Sequence, residues 1–166
     1  MKNIIIRIII SIVVILVISA CSKEEESTTI PFTTTCTGSS SGSGPTIGGV
    51  TLKEATYKEG STSFMFVNST SANVVISGGD SYCYTIDATS TTATMQKMNS
   101  SGTGVDNVTA YYTTMKQGTW TDTPTTFHMY IYADTDSSFY INYWGFPTKA
   151  QADAYYYMKD SAYTKQ

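Results

Sequence analysis

The sequence predicts a mostly-β fold, an antiparallel sandwich or barrel-like meander with one C-terminal α-helix. Thr, Ser and Tyr are abundant, only 14% of the 166 residues are charged, and Leu52 is the only leucine after residue 20. Thr and Tyr suit a pleated, half-buried surface, whereas helical domains are rich in Leu, Ala, Glu and Lys. Besides this composition, two patterns predict the fold. Short alternating segments are separated by turn sequences, and one capped helical segment lies near the end of the chain.

The chain begins with a segment typical of exported proteins. Lys2 and Arg7 accompany an apolar stretch up to Ile18, which has the length of a signal peptide's hydrophobic region and is short for a membrane-spanning helix. The residues Ile18-Ser19-Ala20 then precede Cys21. This pattern resembles that of bacterial lipoproteins, which implies that the preceding residues are removed and that the thiol of Cys21 carries diacylglycerol. The alternative is an uncleaved signal anchor, which Arg7 disfavours.

A short acidic run, Ser22-Lys23-Glu24-Glu25-Glu26, follows the cysteine. It resembles the surface-export signal of Bacteroidota lipoproteins, and Ser22 is not the aspartate that retains enterobacterial lipoproteins at the inner membrane. These resemblances imply a protein held by lipid in the bacterial outer membrane and displayed on the cell surface. The alternatives are a periplasm-facing orientation and a run that is only a solubilising spacer.

We expect three segments: a signal peptide over residues 1–20, the lipidated cysteine and a flexible tether over 21–48, and one mostly-β domain over 49–166. The tether is rich in Ser, Thr and Gly, which bury too little apolar surface to offset the entropy of ordering. Once Cys21 is acylated, Cys36 and Cys83 remain. In an oxidising envelope we expect these two to form a disulfide, and the alternative is two free thiols.

The domain is predicted to consist of short strands and turns. Residues 51–59 have no clear period and fit a strand or a short helical turn. Phe64–Val67 and Val74–Ile76 flank a turn-rich connection and predict a hairpin. Further strands are predicted at residues 82–87, 91–97, 108–115, 127–132 and 139–144.

The end of the chain predicts a helix that packs on the sheet. Gly145-Phe146-Pro147 ends the last predicted strand, and Thr148 and Gln151 have the spacing of a capping box. Apolar side chains then share one helical face up to about Ser161, namely Ala150, Ala154, Tyr157 and Met158.

The mature chain has eight basic and thirteen acidic residues, a net charge of −5, which disfavours nucleic acid as a partner. His128, the only histidine, lies mid-strand without the motifs of a catalytic base. Cys36, Cys83 and His128 lack zinc-ligand spacing, and Asp134 and Asp136 fit a turn better than a calcium site. We therefore predict a protein without enzymatic activity, cofactor or metal.

Aromatic residues are the candidate binding groups. If the side of the strand that carries Phe127 faces the core, four rings fall on the opposite faces: Tyr130, Tyr132, Tyr140 and Trp144. On an exposed sheet face they would bind a glycan or a protein partner, while the lipid at Cys21 binds the membrane. The alternatives are a fold in which both faces are buried, and a lipocalin-like barrel that carries a small apolar ligand inside.

Overall fold

The computed structural model describes residues 36, 40–76, 79, 81–117 and 126–166. They belong to the unit Phe32–Gln166, and residues 1–31 lie outside the described residues. The predicted signal peptide, the lipidation site at Cys21 and the acidic run therefore also lie outside them.

The described part of the chain forms eleven strands and one helix, which confirms the predicted mostly-β fold with a C-terminal helix. The elements are β1 (Ser43–Ile47), β2 (Val50–Lys53), β3 (Thr56–Glu59), β4 (Thr62–Asn68), β5 (Ser71–Val75), β6 (Ser81–Met98), β7 (Gly104–Gln117), β8 (Thr126–Thr135), β9 (Ser138–Ile141), α1 (Lys149–Ala154), β10 (Tyr157–Met158) and β11 (Tyr163–Lys165).

Eight strands form a closed, barrel-like antiparallel ring in the order β6-β5-β4-β3-β11-β9-β8-β7, because β7 also pairs with β6. The last strand of the chain, β11, closes the ring between β3 and β9. Of the two architectures predicted, the fold is therefore the barrel-like one. Within the ring every strand has two neighbours, although β6 and β7 extend as a hairpin beyond the residues that pair with β5 and β8.

Strand β6 is longer than predicted, since it unites the two strands expected at residues 82–87 and 91–97. Its pairing with β7 shifts register between Ala88 and Thr92, which is where the prediction placed the break. Such an irregularity bends a strand without ending it. The last residues of β6 also pair in parallel with β10, outside the ring.

The hairpin of β1 and β2 corrects the predicted end of the tether. Ser43–Ile47 was expected to be flexible, but it pairs with β2 through a two-residue turn, Gly48-Gly49, in which both glycines have positive φ. Ile47 and Leu52 are each 1% exposed and join the cluster inside the barrel. Burial of these two side chains supplies the apolar contact that the surrounding Ser and Gly residues lack.

Aromatic side chains fill the space inside the ring. The Phe64 ring lies 5.4 Å from Phe139, 4.9 Å from Tyr163 and 5.3 Å from Trp144. Trp144 in turn lies 5.7 Å from Tyr84 on β6. Because β4, β6 and β9 are well separated around the ring, these contacts cross its interior.

A second cluster lies on the outer side of β6, β7 and β8, under α1 and β10. Its buried members are Met95, Ala110, Tyr112, Tyr130, Ala152 and Met158. The predicted alternation along β8 is confirmed, because Met129 and Ile131 belong to the interior cluster while Tyr130 and Tyr132 belong to the outer one.

The helix begins where the sequence predicts but ends early. Thr148 is the N-cap, and its hydroxyl accepts a hydrogen bond from the backbone N–H of Gln151 at 3.3 Å. The helix ends at Ala154, not near Ser161, because Tyr157–Met158 pairs with β6 as β10. Sheet pairing has replaced the helical turns that the apolar spacing indicated.

Candidate functional site: an exposed aromatic patch

Five aromatic side chains in the C-terminal part of the chain form an unbroken series of ring contacts, which we call the aromatic patch: Tyr143, Phe146, Tyr155, Tyr156 and Tyr157. The ring of Phe146 lies 5.1 Å from Tyr143 and 5.6 Å from Tyr155, and the ring of Tyr157 lies 6.3 Å from Tyr155 and 4.9 Å from Tyr156. Three members are strongly exposed: Tyr156 at 57%, Tyr143 at 49% and Tyr155 at 41%.

The buried side chain of Asn142 fixes the backbone that carries the patch. Its side chain is fully buried, and its Oδ1 accepts hydrogen bonds from the N–H groups of Tyr130 at 2.8 Å and Tyr143 at 2.9 Å. Its Nδ2 donates to the carbonyls of Ala152 at 3.4 Å and Tyr155 at 3.3 Å. One carboxamide thus joins β8, the end of β9 and the end of α1. The backbone of the two patch residues Tyr143 and Tyr155 is therefore fixed in position.

Two further backbone contacts hold the remaining rings. Phe146 exchanges two hydrogen bonds with His128 on β8, at 2.8 and 3.1 Å. The carbonyl of Tyr156 accepts from the N–H of Gln96 on β6 at 2.9 Å. The patch is therefore carried by backbone that is bonded to the barrel on both sides, although much of its surface faces solvent.

An open groove of about 330 Å³ adjoins the patch. Tyr155 and Tyr157 line it, and polar residues of the β6–β7 loop and of the segment after β10 complete its wall: Asn99, Ser100, Lys159 and Asp160. The loop is held by Asn99, whose Oδ1 accepts hydrogen bonds from the N–H groups of Ser101 at 3.0 Å and Thr103 at 2.9 Å. The groove thus places aromatic faces beside hydrogen-bonding groups.

The four aromatic residues predicted as binding groups do not form this patch. Tyr130 is only 3% exposed, and its hydroxyl donates to Asp153 at 2.9 Å. Tyr132 and Tyr140 are partly buried and stacked on each other at 6.1 Å, with the Lys97 ammonium 4.1 Å from the Tyr140 ring centre. These three rings mainly support the outer cluster.

The prediction that Trp144 lies on the face opposite the core is wrong, because its ring lies inside the barrel against Phe64 and Tyr84. Strict alternation from Phe139 places Trp144 on the opposite side from Phe139. However, β9 ends at Ile141 and the chain bends at Asn142, so that Tyr143 is exposed and Trp144 turns inward.

A polar cluster fastens α1 to the outer side of the barrel. Lys149 Nζ bonds to Asp153 at 2.7 Å, and the hydroxyl of Tyr112 shares a hydrogen bond with His128 Nδ1. Burial, aided by the bond to Asp153, raises the pKa of Tyr130, and the bond from Lys149 lowers the pKa of the Asp153 carboxyl. The Tyr130–Asp153 hydrogen bond joins α1 to β8, and the Lys149 ammonium lies 5.0 Å from the centre of the Tyr112 ring on β7, so we assign the cluster a structural role.

Cys36 and Cys83 are joined by a disulfide, the pairing that the sequence favours. Cys83 lies on β6 beside Tyr84, an interior residue, so its side chain points to the outer wall. The backbone N–H of Cys36 also donates to Asn73 Oδ1 on β5 at 2.6 Å. The chain is therefore attached to the outside of the barrel well before β1 begins.

One sequence signal pointed to the patch and was missed. Tyr155-Tyr156-Tyr157 is a run of three consecutive tyrosines, and no single helix or strand face can bury three consecutive side chains. The predicted helix instead places Tyr157 on its apolar face, against the sheet. The contacts with Tyr143 and Phe146 depend on tertiary structure and were not accessible from the sequence.

Comparisons with protein-family models, with curated proteins and with solved structures found no match. The described part of the chain has no helix with the length and apolar character needed to span a bilayer. Within the same residues, no three His, Cys, Asp or Glu side chains come together as a metal site.

Proposed function

We propose that this protein is a lipid-anchored protein of the bacterial outer membrane that binds a partner outside the cell through its aromatic patch. The role is binding without catalysis, and the partner is a glycan or a protein. The observation that carries the proposal is the continuous series of ring contacts formed by Tyr143, Phe146 and Tyr155–Tyr157, in which three rings, Tyr143, Tyr155 and Tyr156, are exposed.

The exposure of these rings is what favours a binding role. Single apolar side chains on a surface need no explanation, whereas contiguous exposed aromatic groups mark interaction sites. Tyrosine combines a large apolar face with a hydroxyl and has few rotatable bonds, so ordering it on binding costs little entropy. The hydrogen bonds of Asn142 to the backbone of Tyr143 and Tyr155 further reduce that cost.

The carrier alternative, an apolar ligand inside the barrel, is supported by the closed eight-strand ring, a shape that small-ligand carriers use. It is opposed by the contents of that ring. Phe64, Tyr84 and Trp144 meet across the interior, and a ligand there would have to displace packed aromatic side chains. We therefore favour the patch over the interior.

The patch is tested by the double variant Tyr143→Ala/Tyr156→Ala, which removes its two most exposed rings. The soluble form of the chain, which begins at Ser22 and therefore lacks both the signal segment and the lipidated cysteine, is applied to arrays of polysaccharides and of extracellular proteins. We expect binding to at least one array component, weakened about 30-fold or more in the double variant, since truncation of a single hot-spot aromatic residue costs about 2 kcal/mol.

The matched control is Met65→Ala, which removes an exposed apolar side chain, 41% accessible, from β4. It should bind as the parent does. Equal binding by the parent and the double variant would overturn the assignment of the patch as the contact surface.

A further inference from the structure

We propose that the patch and its groove take an uncharged polysaccharide, whose sugar rings stack on the tyrosines while their hydroxyl groups bond along the groove. This inference rests on the proposed binding function and names the chemical class of the partner. Its basis is that Tyr155 and Tyr157 belong both to the patch and to the wall of the groove.

The surface offers the two kinds of contact that a sugar requires. A pyranose ring has an apolar face of C–H groups and an edge of hydroxyl groups, so it is recognised by an aromatic face with polar groups beside it. Here Tyr155 and Tyr157 supply the aromatic faces. Asn99, Ser100, Lys159 and Asp160 supply amide, hydroxyl, ammonium and carboxylate groups on the same groove.

The arrangement of the rings suits a chain of sugars more than a single one. Tyr156 and Tyr157 meet at 46°, and Tyr143 and Phe146 meet at 40°, so the successive ring faces are tilted and not coplanar. The series continues from the groove along the surface to Tyr143. Successive residues of an extended, twisted polysaccharide would meet successive tilted rings.

Charge favours an uncharged ligand. The mature chain has a net charge of −5, which repels polyanionic glycans at long range. In the groove, one cation at Lys159 stands next to one anion at Asp160, so neither sign dominates. Both groups can bond to hydroxyls, which donate and accept.

The size of the groove separates a glycan from a protein partner. A specific protein interface covers about 800 Å² on each side and requires a broad complementary surface. A groove of about 330 Å³ lies at the lower end of the range of about 300–1,000 Å³ that small-ligand sites occupy. We therefore assign the surface to a glycan chain.

The test is affinity gel electrophoresis of the soluble chain with soluble polysaccharides cast in native gels. Three are uncharged, a β-glucan, an α-mannan and starch, and two are acidic, polygalacturonate and hyaluronate. We expect at least one uncharged polysaccharide to retard the protein. Tyr155→Ala, Tyr157→Ala and Asp160→Ala should each weaken that retardation about ten-fold, whereas Met65→Ala should not change it.

Four results would overturn the inference. The first three are no retardation by any uncharged polysaccharide, retardation by the acidic ones alone, and retardation that the groove variants leave unchanged. The proposed binding function would stand after either of the first two results if the parent chain bound a protein on the array and Tyr143→Ala/Tyr156→Ala abolished that binding. Sedimentation of the chain as a dimer that Tyr156→Ala separates would also overturn the inference, because a second copy would then cover the patch. Failure of the glycan assignment can therefore be distinguished from failure of the proposed binding function.

Discussion

Tyr163 shows how a single residue contributes to closure of the barrel. Its ring is 1% exposed and stacks on Phe139 at 5.0 Å, while Phe64 approaches edge-on at 4.9 Å. Burial raises the pKa of Tyr163 to about 12, from an ordinary value of 10.0. The folded barrel therefore holds this phenol in its neutral form.

The raised pKa of Tyr163 predicts a loss of stability in alkaline solution. Since the folded pKa lies above the unfolded one, the stabilisation is fully present below pH 10 and is lost as the pH rises toward 12. In urea unfolding, raising the pH from about 9 to 11 should destabilise the wild type by about 1 kcal/mol more than Tyr163→Phe.

Tyr156→Phe is the matched control, because it removes the same hydroxyl from a ring that is 57% exposed. It should lose as much stability with pH as the wild type. Parallel pH curves for the wild type and Tyr163→Phe would contradict the burial of this phenol.

At the scale of elements, the three-residue strand β11 completes the ring. Tyr163–Lys165 pairs with β3 on one side and with β9 on the other, and β3 and β9 do not pair with each other directly. Without β11, these two strands would have unpaired edges, and the interior would lose the Tyr163 ring.

We predict that a chain truncated after Ala162 is less stable than the full-length variant Tyr163→Ala. Loss of the ring alone should cost about 3–5 kcal/mol, as for other buried aromatic residues. The truncation loses the same ring and also the strand pairing. Thermal unfolding measures the difference, and sedimentation shows whether the free edges of β3 and β9 cause association. Equal stability of the two proteins would mean that β11 contributes packing but not closure.

At the scale of the whole molecule, we propose that a lipid anchor at Cys21 and the barrel have separate functions. The lipid at Cys21 is proposed to hold the protein at the outer membrane, and the Cys36–Cys83 disulfide attaches the chain to the outer wall of the barrel. A disulfide that closes a loop of this length, with a sequence separation of 47, stabilises a fold by roughly 4 kcal/mol in the chain-entropy model.

The anchor predicts the fate of one variant in the native host. Cys21→Ala should no longer incorporate radiolabelled palmitate, because the thiol that accepts diacylglycerol is absent. Cys36→Ala is the matched control, since it removes a cysteine that pairs with Cys83, and its labelling should persist. Undiminished labelling of Cys21→Ala would contradict the lipoprotein assignment.

The sequence was sufficient for features set by local pattern. Alternation in Phe127–Tyr132 predicted which side chains face the barrel interior, and the Thr148–Gln151 spacing predicted the start of the helix. It was insufficient for features that depend on contacts between residues distant in the sequence. The strand β11 is recognisable only from its partners β3 and β9, and Trp144 turns inward only because the chain bends at Asn142.

The same distinction applies to the candidate site. The abundance of tyrosine indicated aromatic binding, but the exposed rings are those that approach one another from the end of β9 and from the segment after α1. Tyr143 and Tyr155 are brought together by the hydrogen bonds of one buried amide, Asn142. No periodicity in the sequence encodes that contact.

The central claim, that the partner binds the patch and not the interior, is tested most directly by NMR mapping on the labelled soluble chain. An equal mixture of β-gluco-, manno- and malto-hexaose is titrated in, and oleate is titrated separately. We predict that the sugars shift the amide signals of Asn99, Tyr143 and Tyr155–Tyr157 and leave the interior rings of Phe64 and Trp144 unchanged. Oleate shifts at Phe64 and Trp144, with no sugar shifts at the patch, would contradict the account and favour a carrier barrel.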